Sequence, residues 1–132
     1  MNMGDRTTTV LAGRGISGFA DGQGTLAVFN GPYGLVIHPI TGVIYIAEFG
    51  NHRIRACTKL GNVSTLAGSA TSGNDDGDAY TATFRYPEGI VMDSTSVNLY
   101  VTCNWIGYLR KVLVLSGYTT TLASLSNPQY DR

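Results

Sequence analysis

The sequence predicts an all-β fold: two β-propeller blades of four antiparallel strands each, preceded by one extra N-terminal strand. Three observations carry this. First, the chain repeats itself at a constant spacing, with Gly13 and Gly68, Gly22 and Gly77, Pro32 and Pro87, and Tyr45 and Tyr100 each 55 residues apart. Second, each repeat contains short runs rich in Val, Ile, Thr and Tyr, separated by glycine-containing turns, as strands joined by hairpins require. Third, no segment carries the 3.6-residue apolar period of a helix, which removes helical solenoids.

The extra strand is residues 7–12. Its end, "VLAG" at 10–13, recurs as "TLAG" at 65–68 and "TLAS" at 121–124, so it has the sequence of a unit's fourth, outermost strand. The first unit places strands at 34–38, 43–48, 53–57 and 63–67, divided by the turns "HPITG", "FGN" and "LGN". The second places them at 89–93, 98–103, 108–113 and 118–123. A one-residue insertion near Val114 accounts for the step from Leu66 to Leu122. The connectors match too: "ADG" at 20–22 returns as "DDG" at 75–77, and "FNGPYGLVI" at 29–37 as "FRYPEGIVM" at 84–92. The organisation is therefore a tail at 1–6, the extra outer strand at 7–13, a first repeat with its connector at 14–68, a second at 69–124, and a tail at 125–132.

Composition narrows the function classes. The 132 residues suit one domain, with 9 Lys+Arg balanced by 9 Asp+Glu. Zero net charge argues against affinity built on phosphate neutralisation. No apolar run approaches a membrane span, and "MNMGDRTTT" lacks the basic start and apolar core of a signal peptide. Cys57 and Cys103 form no metal pattern and no disulfide framework, and nothing in the repeat brings them together, so they are expected to stay unbonded. A reducing, cytoplasmic setting is the default for such usage.

The stretch "PYGLVIHPITGVIYIAEFGNHRIRACTKLGNVSTLAG" resembles one complete NHL repeat: Pro-x-Gly, an apolar strand, Ile-Tyr-x-Ala-acid, Asn-His-Arg-Ile-Arg, a Gly turn and a Thr-Leu-Ala-Gly strand. The connector "GFADGQGTLAVFNGP" is similar to the family's linker. The resemblance runs from Thr7 to Ser124 and implies a β-propeller, commonly of six blades. The second unit departs from it, with "CNWIGYLR" at 103–110 where the first has "EFGNHRIR".

Because one unit dispenses with the Asn-His-Arg cluster, that cluster reads as scaffold: Glu48, Asn51 and Arg53 are expected to satisfy one another and nearby backbone at a tight turn. His38 sits on the strand that lines the channel of a propeller, and some lyases resembling this family hold a metal there through histidines. Its repeat equivalent is Asp93, so the pattern is not doubled and turn capping is expected. Asn74, Asp76 and Asp78 invite a calcium reading, but the twelfth position counted from Ser72 is Thr83 rather than Glu, and a turn is expected instead. No catalytic motif, metal site or cofactor is expected. Aromatic residues give the functional hint. Phe49 in one unit, and Trp105 with Ile106 in the other, occupy the loop between second and third strands, near connector residues Phe19, Tyr80 and Arg85. Trp, Tyr and Arg are favoured anchors of protein interfaces. The candidate binding face is Phe49, Asn51, His52, Arg53, Arg85, Trp105 and Ile106. The expected function is a non-enzymatic interaction module within a six-bladed propeller. Its partners would be further copies of itself, as a homotrimer, or the missing blades of a longer parent chain, together with a protein or peptide ligand. A fragment of a larger propeller enzyme or sensor is the second reading. An RNA-binding domain is the third, set back by the zero net charge, and no membrane partner is expected.

Overall fold

A computed structural model describes residues 4, 6–103 and 107–124. Nine strands form two antiparallel sheets, with no α-helix among the described residues. The first sheet orders β1 (Gly22–Gln23), β5 (Asn62–Ala67), β4 (Arg53–Cys57), β3 (Ile44–Glu48) and β2 (Pro32–Ile37). The second orders β6 (Pro87–Met92), β7 (Asn98–Cys103), β8 (Tyr108–Leu113) and β9 (Thr119–Ser124). Each sheet contains a four-strand meander, as expected of a propeller blade, and the first adds β1 at its outer edge.

The strand alternation decides which faces meet. In β3, Tyr45 and Ala47 point one way and Ile44 and Ile46 the other. Tyr45, Ala47 and Ile54 of the first blade bury against Phe84, Ile90, Leu99, Val101 and Val112 of the second, forming the main core. Gly34 makes this junction possible: a Cβ there would lie 2.5 Å from the Glu88 carbonyl oxygen, so β2 and β6 approach as only glycine allows. A smaller cluster of Ala27, Cys57 and Val63 lies on the opposite face of the first blade.

The predicted strands 34–38 and 89–93 sit two residues early, at Pro32 and Pro87, because these prolines pair with Glu48 and Cys103 across a bulge before the regular ladder begins. His38 and Asp93 leave their strands to cap the turn that follows. His38 Nδ1 accepts the Ile40 and Thr41 N–H groups at 3.2 Å. The Asp93 carboxylate accepts the Val97 and Asn98 N–H groups and the Asn98 side-chain amide.

One expectation is corrected. Residues 7–12 carry no strand; the fifth strand of the first sheet is Gly22–Gln23, paired with Val63 and Asn62. The reason is the lack of a ladder. The outer edge of β5 is already met by β1, and the earlier segment instead runs past the β4–β5 turn, where an added Cβ on Gly61 would lie 2.5 Å from the Leu11 carbonyl oxygen. Gly13 N–H donates to the Gly24 carbonyl, and Ala12 packs on the smaller cluster. An outer-strand sequence forms a strand only where another strand supplies its partners.

Candidate interaction face

Each blade is tied to its connector by one buried arginine. Arg55 is fully buried, and so is Glu48 opposite it; Nη1 donates to both Glu48 oxygens at 3.0 and 2.9 Å. Nη2 and Nε reach Asp21 Oδ1 at 2.8 and 3.2 Å, and the carbonyls of Ala20 and Val28 take the remaining protons. Thr65 donates its hydroxyl to the same aspartate. The second blade repeats this 55 residues on. Arg110, also fully buried, donates to the Thr83 and Asp75 carbonyls at 2.8 Å and to Asp76 at 3.2 Å, and Thr121 supports Asp76 at 2.8 Å. A charge this deeply placed needs partners on nearly every N–H. The blades differ where Cys103 replaces Glu48. There Arg110 Nε is left without a partner, and the thiol is pushed up by burial, against the pull of the Arg85 N–H and the Arg110 cation.

Beyond Glu48, in the β3–β4 turn and beside the starts of β2 and β6, a row of rings reaches the surface. Tyr33 and Phe49 lie 5.1 Å apart between centroids, Phe49 and Tyr86 4.6 Å, and Tyr86 meets His52 edge-on at 4.8 Å. The row crosses the blade junction, since Tyr86 directly precedes the second sheet. Tyr86 N–H donates to His52 Nδ1 at 3.2 Å. This bond needs an unprotonated Nδ1, and burial, followed by the Arg85 charge, holds the His52 pKa below its ordinary value. Both residues are left-handed, at φ 53° for His52 and 50° for Tyr86, while their repeat equivalents Gly107 and Gly31 are glycines at 65° and 60°. Each blade therefore spends one strained aromatic where the other uses glycine, and the two strained residues touch. Arg53 stacks its guanidinium 3.6 Å over the Phe19 ring; burial, followed by neighbouring Arg55, lowers its pKa. Asn51 donates its amide to the Gly18 carbonyl at 2.8 Å.

No family model matches the chain. The chain is 29% identical over 114 residues to NHL repeat-containing protein 2 of Gallus gallus, covering 85% of this chain and 16% of that protein. It is 33% identical over 86 residues to the Bos taurus protein of the same name, covering 64% and 12% respectively. These likenesses support an NHL-repeat family for the chain. Among solved structures, a Bacteroides thetaiotaomicron auxiliary nutrient binding protein shares a TM-score of 0.58 at 33% identity, over 66% of this chain and 24% of that one. A second protein of that organism, provisionally described as a phosphatase, shares 0.60 at 33% identity, over 70% and 23%. The chain thus spans less than a quarter of the length of each of these relatives.

Within the NHL pattern, the predicted site residues divide. Phe49 and His52 join the aromatic row, Arg85 stands exposed beside it with Nε donating to Ser72 Oγ, and Asn51 and Arg53 are held toward the connector carrying Phe19. Trp105 and Ile106 lie outside the described residues. Glu48 takes Arg55 as its partner, where sequence reasoning paired it with Arg53. Alternation puts Glu48, Arg53 and Arg55 on one face; Arg53, at the strand end, stacks over Phe19, which leaves the fully buried Arg55 to take the carboxylate. In the "SGNDDGDAY" loop, Asp76 turns to Arg110, and Asp78 accepts the Tyr80 and Thr81 N–H groups, as a turn requires. Sequence reasoning missed Arg55 and Arg110 as the pins of each blade. The signal was present: Arg55 with Arg110, and Asp21 with Asp76, keep the same offset of 55 as the glycines. Tyr33 and Tyr86 were missed because neither has an aromatic repeat equivalent, these being Glu88 and Gly31.

Proposed function

We propose that the chain is a non-enzymatic interaction module, two blades of a six-bladed NHL propeller, which binds a protein or peptide through the face carrying Tyr33, Phe49, Tyr86 and Arg85. The observation that carries this is the contrast between the buried acid–arginine clusters and the aromatic row. The acids and arginines of the blade interior are consumed by one another and by connector carbonyls. The aromatic row is left at the surface, with Tyr33 63% exposed. A stack of rings exposed at Tyr33 and half-buried at Phe49, Tyr86 and His52, bordered by the exposed Arg85, matches the composition of interface hot spots. Two of the row's members are held in a strained backbone conformation, as residues at binding sites often are.

The test is selection of a displayed random peptide library on the immobilised protein, followed by affinity measurement. Phe49→Ala and Tyr33→Ala are expected to weaken the selected peptides about tenfold or more, the range of a hot-spot truncation. Trp105→Ala, on the equivalent loop of the second repeat, is measured alongside. Peptides whose affinity ignores all three substitutions would refute the assignment. Hydrolysis of p-nitrophenyl phosphate above background, abolished by a point substitution in the protein, would replace the binding reading with an enzymatic one.

A further inference from the structure

The two arginines of "NHRIR", residues 51–55, use their donors in opposite ways. Arg55 is fully buried and held by Glu48, Asp21 and two carbonyls. Arg53 is half-buried, and among the described residues no group accepts a hydrogen bond from it. Phe19 takes one face of its guanidinium at 3.6 Å, which leaves the N–H edge open. Glu48 and Asp21 act on its charge, but both are bonded to Arg55. Arg53 borders a hollow of about 300 Å³ whose walls both lie inside the chain. One wall is Phe19, Arg53 and Thr65 of the first blade and its connector. The other is Ser69 and Tyr80 of the connector leading to the second. Gly68 and Ser69 fix that connector by donating their N–H groups to the Ala79 and Ala82 carbonyls at 3.0 and 3.1 Å. The Thr65 hydroxyl is committed to Asp21, whereas the Ser69 hydroxyl has no partner among the described residues. No acidic side chain lines the hollow, and Tyr80, 86% exposed, stands at its rim. Beside Ser69, Ala70 is held at φ 80°, where its repeat equivalent is Gly15 at 78°, so the connector keeps a strained backbone at this place. The second blade does not repeat the arrangement, since Asn74 and Tyr108 stand for Phe19 and Arg53.

We propose that this hollow binds a carboxylate, which accepts two N–H bonds from the Arg53 fork and a third bond from the Ser69 hydroxyl. The site goes beyond the aromatic face and shares no residue with it. The chemistry selects the ligand. A guanidinium pinned by its face presents two parallel donors in its plane, which match the two oxygens of a carboxylate. One unshared positive charge suits a monoanion, whereas a phosphate dianion brings more charge than the lining balances. A like charge, Arg55, lies close enough to lower the Arg53 pKa after burial has done so, and a bound anion relieves both effects. The volume lies at the small end of ligand pockets, so the carboxylate arrives on a few carbons. Two sources carry that group: a small free acid, or an acidic side chain of a peptide. They differ at the rim, where a peptide backbone meets Tyr80 and a small acid does not.

The test follows the Arg53 side-chain Nε–H signal by NMR while the wild-type chain is titrated at constant ionic strength. The probes are succinate, the capped peptide acetyl-Gly-Glu-Gly-amide, its Gln counterpart, and inorganic phosphate. Succinate and the Glu peptide are expected to move the signal saturably, and the Gln peptide is expected to leave it in place. Arg53→Lys keeps the charge and loses the fork, and is expected to weaken carboxylate binding about tenfold or more. Ser69→Ala removes one donor, for an expected loss of about threefold. A Glu peptide that binds more tightly than succinate, and loses that advantage in Tyr80→Ala, supports the proposal with a peptide as the source. Tighter binding of succinate supports it with a small acid. No saturable shift of the wild-type signal with either carboxylate overturns the proposal, whatever the variants do. Phosphate binding as strong as succinate binding overturns it too, as does unchanged affinity in a folded Arg53→Lys. The probes contain no aromatic ring, so this result and that of the library selection on the aromatic row fail separately.

Discussion

Arg55 and Arg110 occupy one position in two blades but are balanced differently, and the difference is measurable. Arg55→Met strands the buried Glu48 carboxylate, a change worth about 3–5 kcal/mol by the cost of breaking a buried pair. Arg110→Met leaves behind a neutral thiol and a half-exposed Asp76, so the expected loss is about 1–3 kcal/mol, mainly of hydrogen bonds. Urea unfolding of both variants decides, and equal losses would contradict the assignment of Glu48 as the group that makes the difference. The acids of the turns set the pH response. Turn amides and hydroxyls hold Asp78 below the ordinary carboxylate range, and the Asn98 side chain, followed by Thr95 and turn amides, lowers Asp93 to about 2. A carboxylate depressed on folding stabilises the protein above its unfolded value of 3.8 and loses that contribution as pH falls toward the folded value. Stability is therefore expected to decline between about pH 4 and pH 2, with a shallower decline in Asp93→Ala. His52 acts over a higher range with the same sense: its lowered pKa makes the unfolded chain the better proton acceptor, so stability falls as pH drops through the ordinary histidine value of 6.5.

Between the blades, the His52–Tyr86 contact links a turn of the first sheet to the entry of the second. Substituting each by alanine, singly and together, is expected to give a coupling energy of about 0.5–1.5 kcal/mol, the value of an edge-on ring pair. A coupling near zero in urea melts would mean that the two are merely neighbours. The strands themselves were legible in the sequence. Their apolar alternation, the glycine turns and the constant offset survive translation into ladders, as "IYIAE" and "LYVTC" show by pairing within their blades as β3 and β7. The outer segment 7–12 was not, because a strand needs a partner and, among the described residues, the outer edge of β5 is taken by β1. The aromatic row was half legible. Phe49 sits in a recognisable loop, but Tyr33 reaches it across the bulge after Pro32, and Tyr86 through a backbone conformation that a tyrosine seldom adopts. Neither event leaves a local mark in sequence.

At the scale of the whole molecule one junction joins the two blades, with Tyr45, Ala47 and Ile54 of the first packed on Phe84, Leu99 and Val101 of the second. The traded glycines add a consequence. Inside the chain, a first blade followed by a second sets His52 against Tyr86. Were a blade of the second kind to precede one of the first, Gly107 would stand where His52 does and Gly31 where Tyr86 does. The ring contact that fastens this junction thus belongs to one order of the two blades and would be missing from the reverse order.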